Sequence, residues 1–371
     1  MSKFSFTILH KDKNARVGRI ETAHGSIKTP VFMPVGTKAT IKCLTQDMIR
    51  DLKPDIILAN TYHLMLQPSE DVVEKLGGLH KFMNWDRPIL TDSGGFQVMS
   101  LRHMAKVTNE GVKFKSHIDG RTFFLDAKRS MDIQKKLNAT ITMIFDQCTP
   151  YPCTDKKVKE AVYRSIKWAE QSKQHFSERE GYGLFGIVQG GVNNDLRQMS
   201  AKALCDIGFD GYAFGGVMGS TREDMFKVLS DNVSLVPEDK PHYLMGVGKP
   251  IDIVGSVHRG IDMFDCVLPA RNARHGLLFT RKGEIKLRKK EFELDTKPID
   301  EKCQCYACKN HTRAYIHHLL RADEMLGMTL MTIHNLKFYL DMMATIRTAI
   351  EGKYFDDIYK MAEQNNWEFV E

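Results

Sequence analysis

Three aspartates stand where a short apolar run gives way to small or polar residues: Asp92 before Ser93-Gly94-Gly95, Asp146 before Gln147-Cys148, and Asp265 before Cys266. Gln189-Gly190-Gly191, Gly215-Gly216 and Gly248 end further runs of the same kind. Carboxylates supply a nucleophile or a paired acid and base, and glycines let a flat ligand approach the backbone. A lone aspartate in such a place is as readily a helix cap or a turn former. Several acids and a Gln-Gly-Gly at equivalent positions are harder to assign to caps alone. The chain has no phosphate-cradling G-x-x-x-x-G-K-[ST] loop, no dinucleotide fingerprint after a first strand and no H-E-x-x-H pair. Nucleotide-driven and metal-borne chemistry are therefore disfavoured, and the work falls to carboxylates.

A second constellation is Cys303, Cys305, Cys308 and His334. Three thiolates and one imidazole suit tetrahedral Zn²⁺ and leave no open position, so one structural Zn²⁺ per chain is expected. His311, His317 and His318 compete as the fourth ligand. A helix is expected over 311–326 and another over 332–350, with His334 in the first turn of the second.

Bringing the aspartates to one pocket requires an architecture that aligns the ends of many strands. Eight short apolar runs lie at 31–35, 56–59, 89–91, 141–145, 184–188, 211–214, 242–247 and 261–264. They do not alternate, and amphipathic stretches at 44–52, 67–76, 127–137, 154–175, 194–207 and 221–229 separate them. That pattern predicts a parallel sheet covered by helices. Eight units suggest a (β/α)₈ TIM barrel, whose strand ends open onto one face; an open doubly wound sheet is the alternative. Hairpins are expected at 111–124 and 275–290, and a third at 18–27 would cap the bottom of the barrel. The chain of 371 residues reads as a single barrel domain, 1–371, with a zinc-binding subdomain at 276–345 inserted after the eighth strand.

Scattered cysteines and an N-terminus without an apolar signal core point to the reducing cytoplasm. No run approaches the roughly eighteen apolar residues of a membrane span. Net charge is +7, from 53 basic against 46 acidic residues, which by itself is weak evidence for a polyanionic partner.

The motifs DSGGFQ (92–97), FDQC (145–148), GIVQGG (186–191), YAFGG (212–216), LMGVG (244–248) and GIDMFDCVLPARNARHG (260–276), together with the C-x-C-x2-C…H signature, resemble the tRNA-guanine transglycosylases over nearly the whole chain. The resemblance implies exchange of guanine at the wobble position of a tRNA anticodon loop for a free 7-deazaguanine base, without ATP and through a covalent RNA-enzyme intermediate. By the same resemblance Asp265 is the nucleophile at ribose C1′ and Asp92 the general acid/base. Asp146 reads the Watson–Crick edge of the base, while Gln189 and the Gly216 N–H donate to its carbonyl oxygen. Phe96 and Met245 sandwich the base. Lys249, Arg271 and Arg274 touch neighbouring nucleotides, and the nearby arginines are expected to keep Asp265 ionised. A homodimer is expected. Cys148 resembles the bacterial form. The sequence departs from that form at Val217-Met218-Gly219-Ser220-Thr221, where Gly219 replaces a larger apolar residue and would admit queuine beside 7-aminomethyl-7-deazaguanine. A non-catalytic tRNA-binding subunit and a retaining nucleoside hydrolase are the rival readings.

Overall fold

Each of the eight apolar runs carries a strand: Val31–Met33, Ile57–Ala59, Ile89–Thr91, Ile141–Met143, Gly183–Val188, Gly211–Phe214, His242–Leu244 and Met263–Asp265. All their residues are buried except Asp265, which is partly exposed. Burial on both faces explains why the runs do not alternate. In this computed structural model, which describes residues 3–100, 105–217 and 221–370 with the side chain of Met99 excepted, the first strand pairs with the eighth, and the order runs on through the seventh to the second. Neighbouring strands in this order pair in parallel. The Leu58 N–H donates to the Pro34 carbonyl at 3.0 Å and the Gly36 N–H to the Leu58 carbonyl at 2.6 Å. These bonds join the first and second strands, so the sheet is a barrel and the open alternative is excluded.

Crossover helices begin where the sequence supplies caps. The Thr45, Asp126, Asn193 and Thr221 side chains each accept a backbone N–H in the first turn of Gln46–Leu52, Ala127–Lys136, Asn194–Ile207 and Arg222–Asn232, each cap being worth about 1 kcal/mol. One expectation holds only in part. Within 67–76 the helix starts late, at Glu70, and runs to Lys75, and a separate helix, Thr61–Leu66, precedes it and ends at an extended Gln67. Pro68 explains the break, because the residue before proline is pushed out of the helical region.

The expected N-terminal hairpin is part of a three-stranded sheet, Ser5–Asp12, Ala15–Thr22 and Gly25–Thr29. It covers the N-terminal ends of the barrel strands. Phe4 packs edge-on against Phe185 with ring centroids 6.0 Å apart, and the Ala23 N–H donates to the Gly181 carbonyl at 2.9 Å. Arg16 forks onto the buried Asp262 just before the eighth strand, at 2.9 and 2.6 Å.

After the eighth strand come helix Leu268–Arg274, the hairpin Leu277–Thr280 with Gly283–Lys286, and helices Tyr306–Asn310, Arg313–Arg321 and Met325–Glu351. The helix expected over 311–326 therefore stops at Arg321, beyond which Asp323 takes a left-handed φ of 54°. The long helix starts at Met325, and His334 lies in its third turn instead of its first. That helix ties the C-terminal part to the barrel. The Tyr339 hydroxyl donates to the Gly248 carbonyl at 2.5 Å. The Asn335 amide donates to the Pro269 and Leu277 carbonyls, both at 3.0 Å, and accepts the Phe279 N–H at 3.1 Å. Loss of this buried side chain would orphan three main-chain groups, at roughly 1–3 kcal/mol each. Among the described residues no helix is long and apolar enough to cross a membrane.

Candidate active site

Asp92 follows the third strand, and its carboxylate is fully engaged. The Thr61 N–H donates to Oδ1 at 2.8 Å, and the Asn60 and Gln97 amides donate to Oδ2 at 2.5 and 2.8 Å. Burial raises its pKa to about 6; these three bonds oppose the rise, and the charge of Asp265 adds to it.

Asp146 follows the fourth strand and is buried. The Ser93 hydroxyl donates to its Oδ1 at 3.2 Å, and the Gln189 amide to its Oδ2 at 2.7 Å. Desolvation pushes its pKa to about 6 as well, against the pull of Gln189 and Ser93. Gln189 lies under the turn after the sixth strand. A Cβ on Gly216, whose φ is +71°, would sit 2.4 Å from Gln189 Oε1, so no other residue fits there.

Asp265 closes the ring at the end of the eighth strand. The Tyr243 hydroxyl donates to Oδ1 at 2.6 Å and the Gly246 N–H donates to the same oxygen at 2.7 Å. Among the described residues nothing bonds to Oδ2. Burial raises the pKa of this acid, and the two donors oppose it. Here the sequence reading is corrected: Tyr243 and Gly246, not the arginines, favour the anion.

A cavity of about 520 Å³ joins these groups. Asp92, Asp146, Asp265, Gln189, Gly216, Phe96, Met245, Cys148 and Arg271 all line it. Phe96 is 47 % exposed, so one side of any base sandwich is open to solvent. Lys249 and Arg274 do not line the cavity. Lys249 caps helix Pro250–Val257 through its backbone, and Arg274 donates to the Ala270 carbonyl of its own helix at 2.9 Å. Gly219 lies outside the described residues. A protein profile described as Queuine tRNA-ribosyltransferase matches residues 11–366. The chain belongs to that family. Proteins named queuine tRNA-ribosyltransferase from Rickettsia rickettsii (strain Sheila Smith) and Rickettsia akari (strain Hartford) are each 53% identical to it over 358 residues, 96% of this chain and 99% of theirs. The protein of that name from Rickettsia bellii (strain OSU 85-389) is 52% identical over the same span. The chain is thus an enzyme, a pentosyltransferase of the queuine tRNA-ribosyltransferase family.

Several residues that line this cavity or bond its acids were not singled out as site residues from sequence. Gln97, inside DSGGFQ, and Tyr243, one residue into a barrel strand, have no signal beyond position; Asn60-Thr61 stands after the second run and differs from the acids only in charge. His63 also lines the cavity.

Away from this cavity, Cys303, Cys305, Cys308 and His334 are buried, with their four ligand atoms within 4.8 Å of one another. His334 Nδ1 is 3.3 Å from Cys308 Sγ, and Nε2 is 2.7 Å from the Phe279 carbonyl. A carbonyl only accepts, so Nε2 carries the hydrogen and the Nδ1 lone pair is left for a metal. The rival histidines lie outside the cluster: His317 Nδ1 bonds the Leu287 carbonyl at 2.6 Å, His311 stacks on Tyr315, and His318 is exposed. This donor set can hold a metal ion, and the bond from His334 Nε2 to the Phe279 carbonyl is of the kind metal-bound histidines make.

Proposed function

We propose that this enzyme exchanges guanine at the wobble position of a tRNA anticodon for 7-aminomethyl-7-deazaguanine or queuine by double displacement. The observation that carries the reading is the convergence of three differently held carboxylates in one cavity. Asp265, held through Oδ1, attacks C1′ with Oδ2; the C1′–N bond breaks, its electron pair leaves with guanine, and an ester joins ribose to enzyme. Asp92, with a pKa near 6, gives a proton to the departing base and takes one from the incoming base. The second displacement frees Asp265 and restores the original configuration at C1′. Asp146 accepts from the ring N–H and exocyclic amine of a guanine-like edge, while Gln189 and the Gly216 N–H donate to its carbonyl. Phe96 and Met245 flank the base, with Cys148 beside it. Lys249, Arg271 and Arg274 contact neighbouring nucleotides.

Cys303, Cys305, Cys308 and His334 hold one structural Zn²⁺, which staples the subdomain 276–345 to the barrel. The enzyme works as a homodimer in the cytoplasm. The missing side chain at Gly219 makes room for a substituent larger than aminomethyl, and the ratio of kcat/KM for queuine to that for its aminomethyl precursor tests it. A hundredfold rejection of queuine would count against that part.

Radiolabelled guanine and unmodified tRNA test the whole reading. Label entering intact tRNA is expected. Base release leaving an abasic site would indicate a nucleoside hydrolase, and tRNA binding without either product a non-catalytic subunit.

A further inference from the structure

Arg197, on helix Asn194–Ile207, is 0 % exposed, and no carboxylate among the described residues bonds to it. Its guanidinium instead reaches three main-chain carbonyls: Nε donates to Gly191 at 2.7 Å, Nη1 to Val188 at 3.3 Å and Nη2 to Gly215 at 2.7 Å. An unpaired buried cation is costly, and an apolar side chain of similar volume would be cheaper if filling space were the only requirement. Desolvation lowers its pKa to about 10, which still leaves it charged at neutral pH.

Two of these carbonyls belong to the Gly190-Gly191 and Gly215-Gly216 turns and the third to Val188 at the end of a barrel strand, and of the two turns Gly215-Gly216 lines the cavity. A Cβ on Gly190 would sit 2.7 Å from Arg197 Cγ, and one on Gly216 3.8 Å from Nη2. The Gly215 oxygen and the Gly216 N–H are two ends of one conjugated peptide unit. A cation at the oxygen draws electron density from the nitrogen and makes its N–H a stronger donor. Gly216 lines the cavity, and no acceptor takes its N–H among the described residues.

We infer that Arg197 is a positioning residue that fixes and polarises the Gly215-Gly216 peptide, so that the Gly216 N–H donates to the carbonyl oxygen of the bound purine and holds it more tightly as the base departs. The inference rests on the proposed exchange of a guanine-type base. When the C1′–N bond breaks, its electron pair stays with the purine and spreads onto that carbonyl oxygen. A donor backed by fixed positive charge stabilises that oxygen more in the transition state than in the ground state.

The test compares guanine with 2-aminopurine, which lacks the carbonyl oxygen, as ligands of the wild type and of Arg197→Lys and Arg197→Gln. Wild type should prefer guanine. In both variants that preference should shrink by about tenfold or more, and kcat for guanine exchange should fall while KM for tRNA stays within about twofold. Folded variants that keep the wild-type guanine preference would overturn the inference and leave the exchange reaction standing. A wild type that neither binds guanine nor exchanges it would sink the exchange reading instead. Should neither variant fold, the slowly exchanging guanidinium protons of Arg197 in the ¹⁵N-labelled wild type decide. They should shift on adding guanine and not on adding 2-aminopurine; equal shifts would overturn the proposal.

Discussion

Burial at Asp146 has a consequence for stability that does not depend on its role in recognition. An acid held at about 6 instead of 3.8 binds its proton more tightly in the fold than in the open chain. Stability is therefore lost as the pH rises through that window, by up to about 3 kcal/mol. Asp146→Asn removes the charge, and its amide can still pair because the Ser93 hydroxyl and the Gln189 amide can both reverse roles. The variant should have a higher urea midpoint than wild type at pH 7.5 and nearly the same one at pH 4, while losing guanine affinity. A variant weaker at both pH values would contradict the assignment of the cost to charge. For the exchange itself the sign is opposite: kcat/KM should fall as the pH drops below about 6, where Asp146 takes up a proton and no longer accepts from both donors of the base, and Asp265, whose pKa burial also raises, loses its attacking anion as the pH falls further. The descending limb belongs to the coupled group of acids, not to one of them. Asp265→Ala and Asp265→Asn should both abolish the denaturation-resistant tRNA adduct while still binding tRNA. Peptide mapping that placed an adduct on Asp92 would reverse the two roles.

Strands were legible because burial on both faces leaves continuous apolar runs, and all eight appear. Hairpins were half legible. Asp119-Gly120 and Lys282-Gly283 announce turns, but Ser5–Asp12 and Ala105–Val107 are edge strands with no fully buried residue, so their composition carries no core signal. The Cys303, Cys305, Cys308 and His334 cluster could be read from residue type alone, whereas the helix around His334 could not. Met325 and Leu326, exposed at its start, resemble the apolar residues of the preceding helix, and the three residues Ala322 to Glu324, with Asp323 left-handed, separate the two. Lodging His334 in a third turn has an energetic meaning, because a metal held there would tie the interior of a 27-residue helix to the segment 303–308. Cys305→Ser should lower the melting temperature by several degrees or more and release metal to a chelator, before any change in kcat at low temperature. Full stability and full activity in a protein that elemental analysis finds metal-free would remove zinc from the account.

At the scale of the whole molecule, stability and chemistry occupy opposite ends of the barrel. The N-terminal sheet and the Arg16–Asp262 pair seal one end, and the three acids open at the other. A net charge of +7 says little about where RNA lies; the cavity says more, because Arg271 is the member of the cationic trio that lines it. Each phosphate contact adds about 0.7–0.9 to the steepness with which affinity falls with salt. Arg271→Ala should therefore weaken tRNA binding and flatten the plot of log Kd against log salt by nearly one contact, with no change in Kd for free guanine. Arg274, whose guanidinium already donates to Ala270, should give a smaller change in slope when replaced by alanine. Equal slopes for wild type and Arg271→Ala between 50 and 200 mM salt would mean that the cavity arginine makes no phosphate contact, and the backbone of the substrate would then have to run along another face of the barrel mouth.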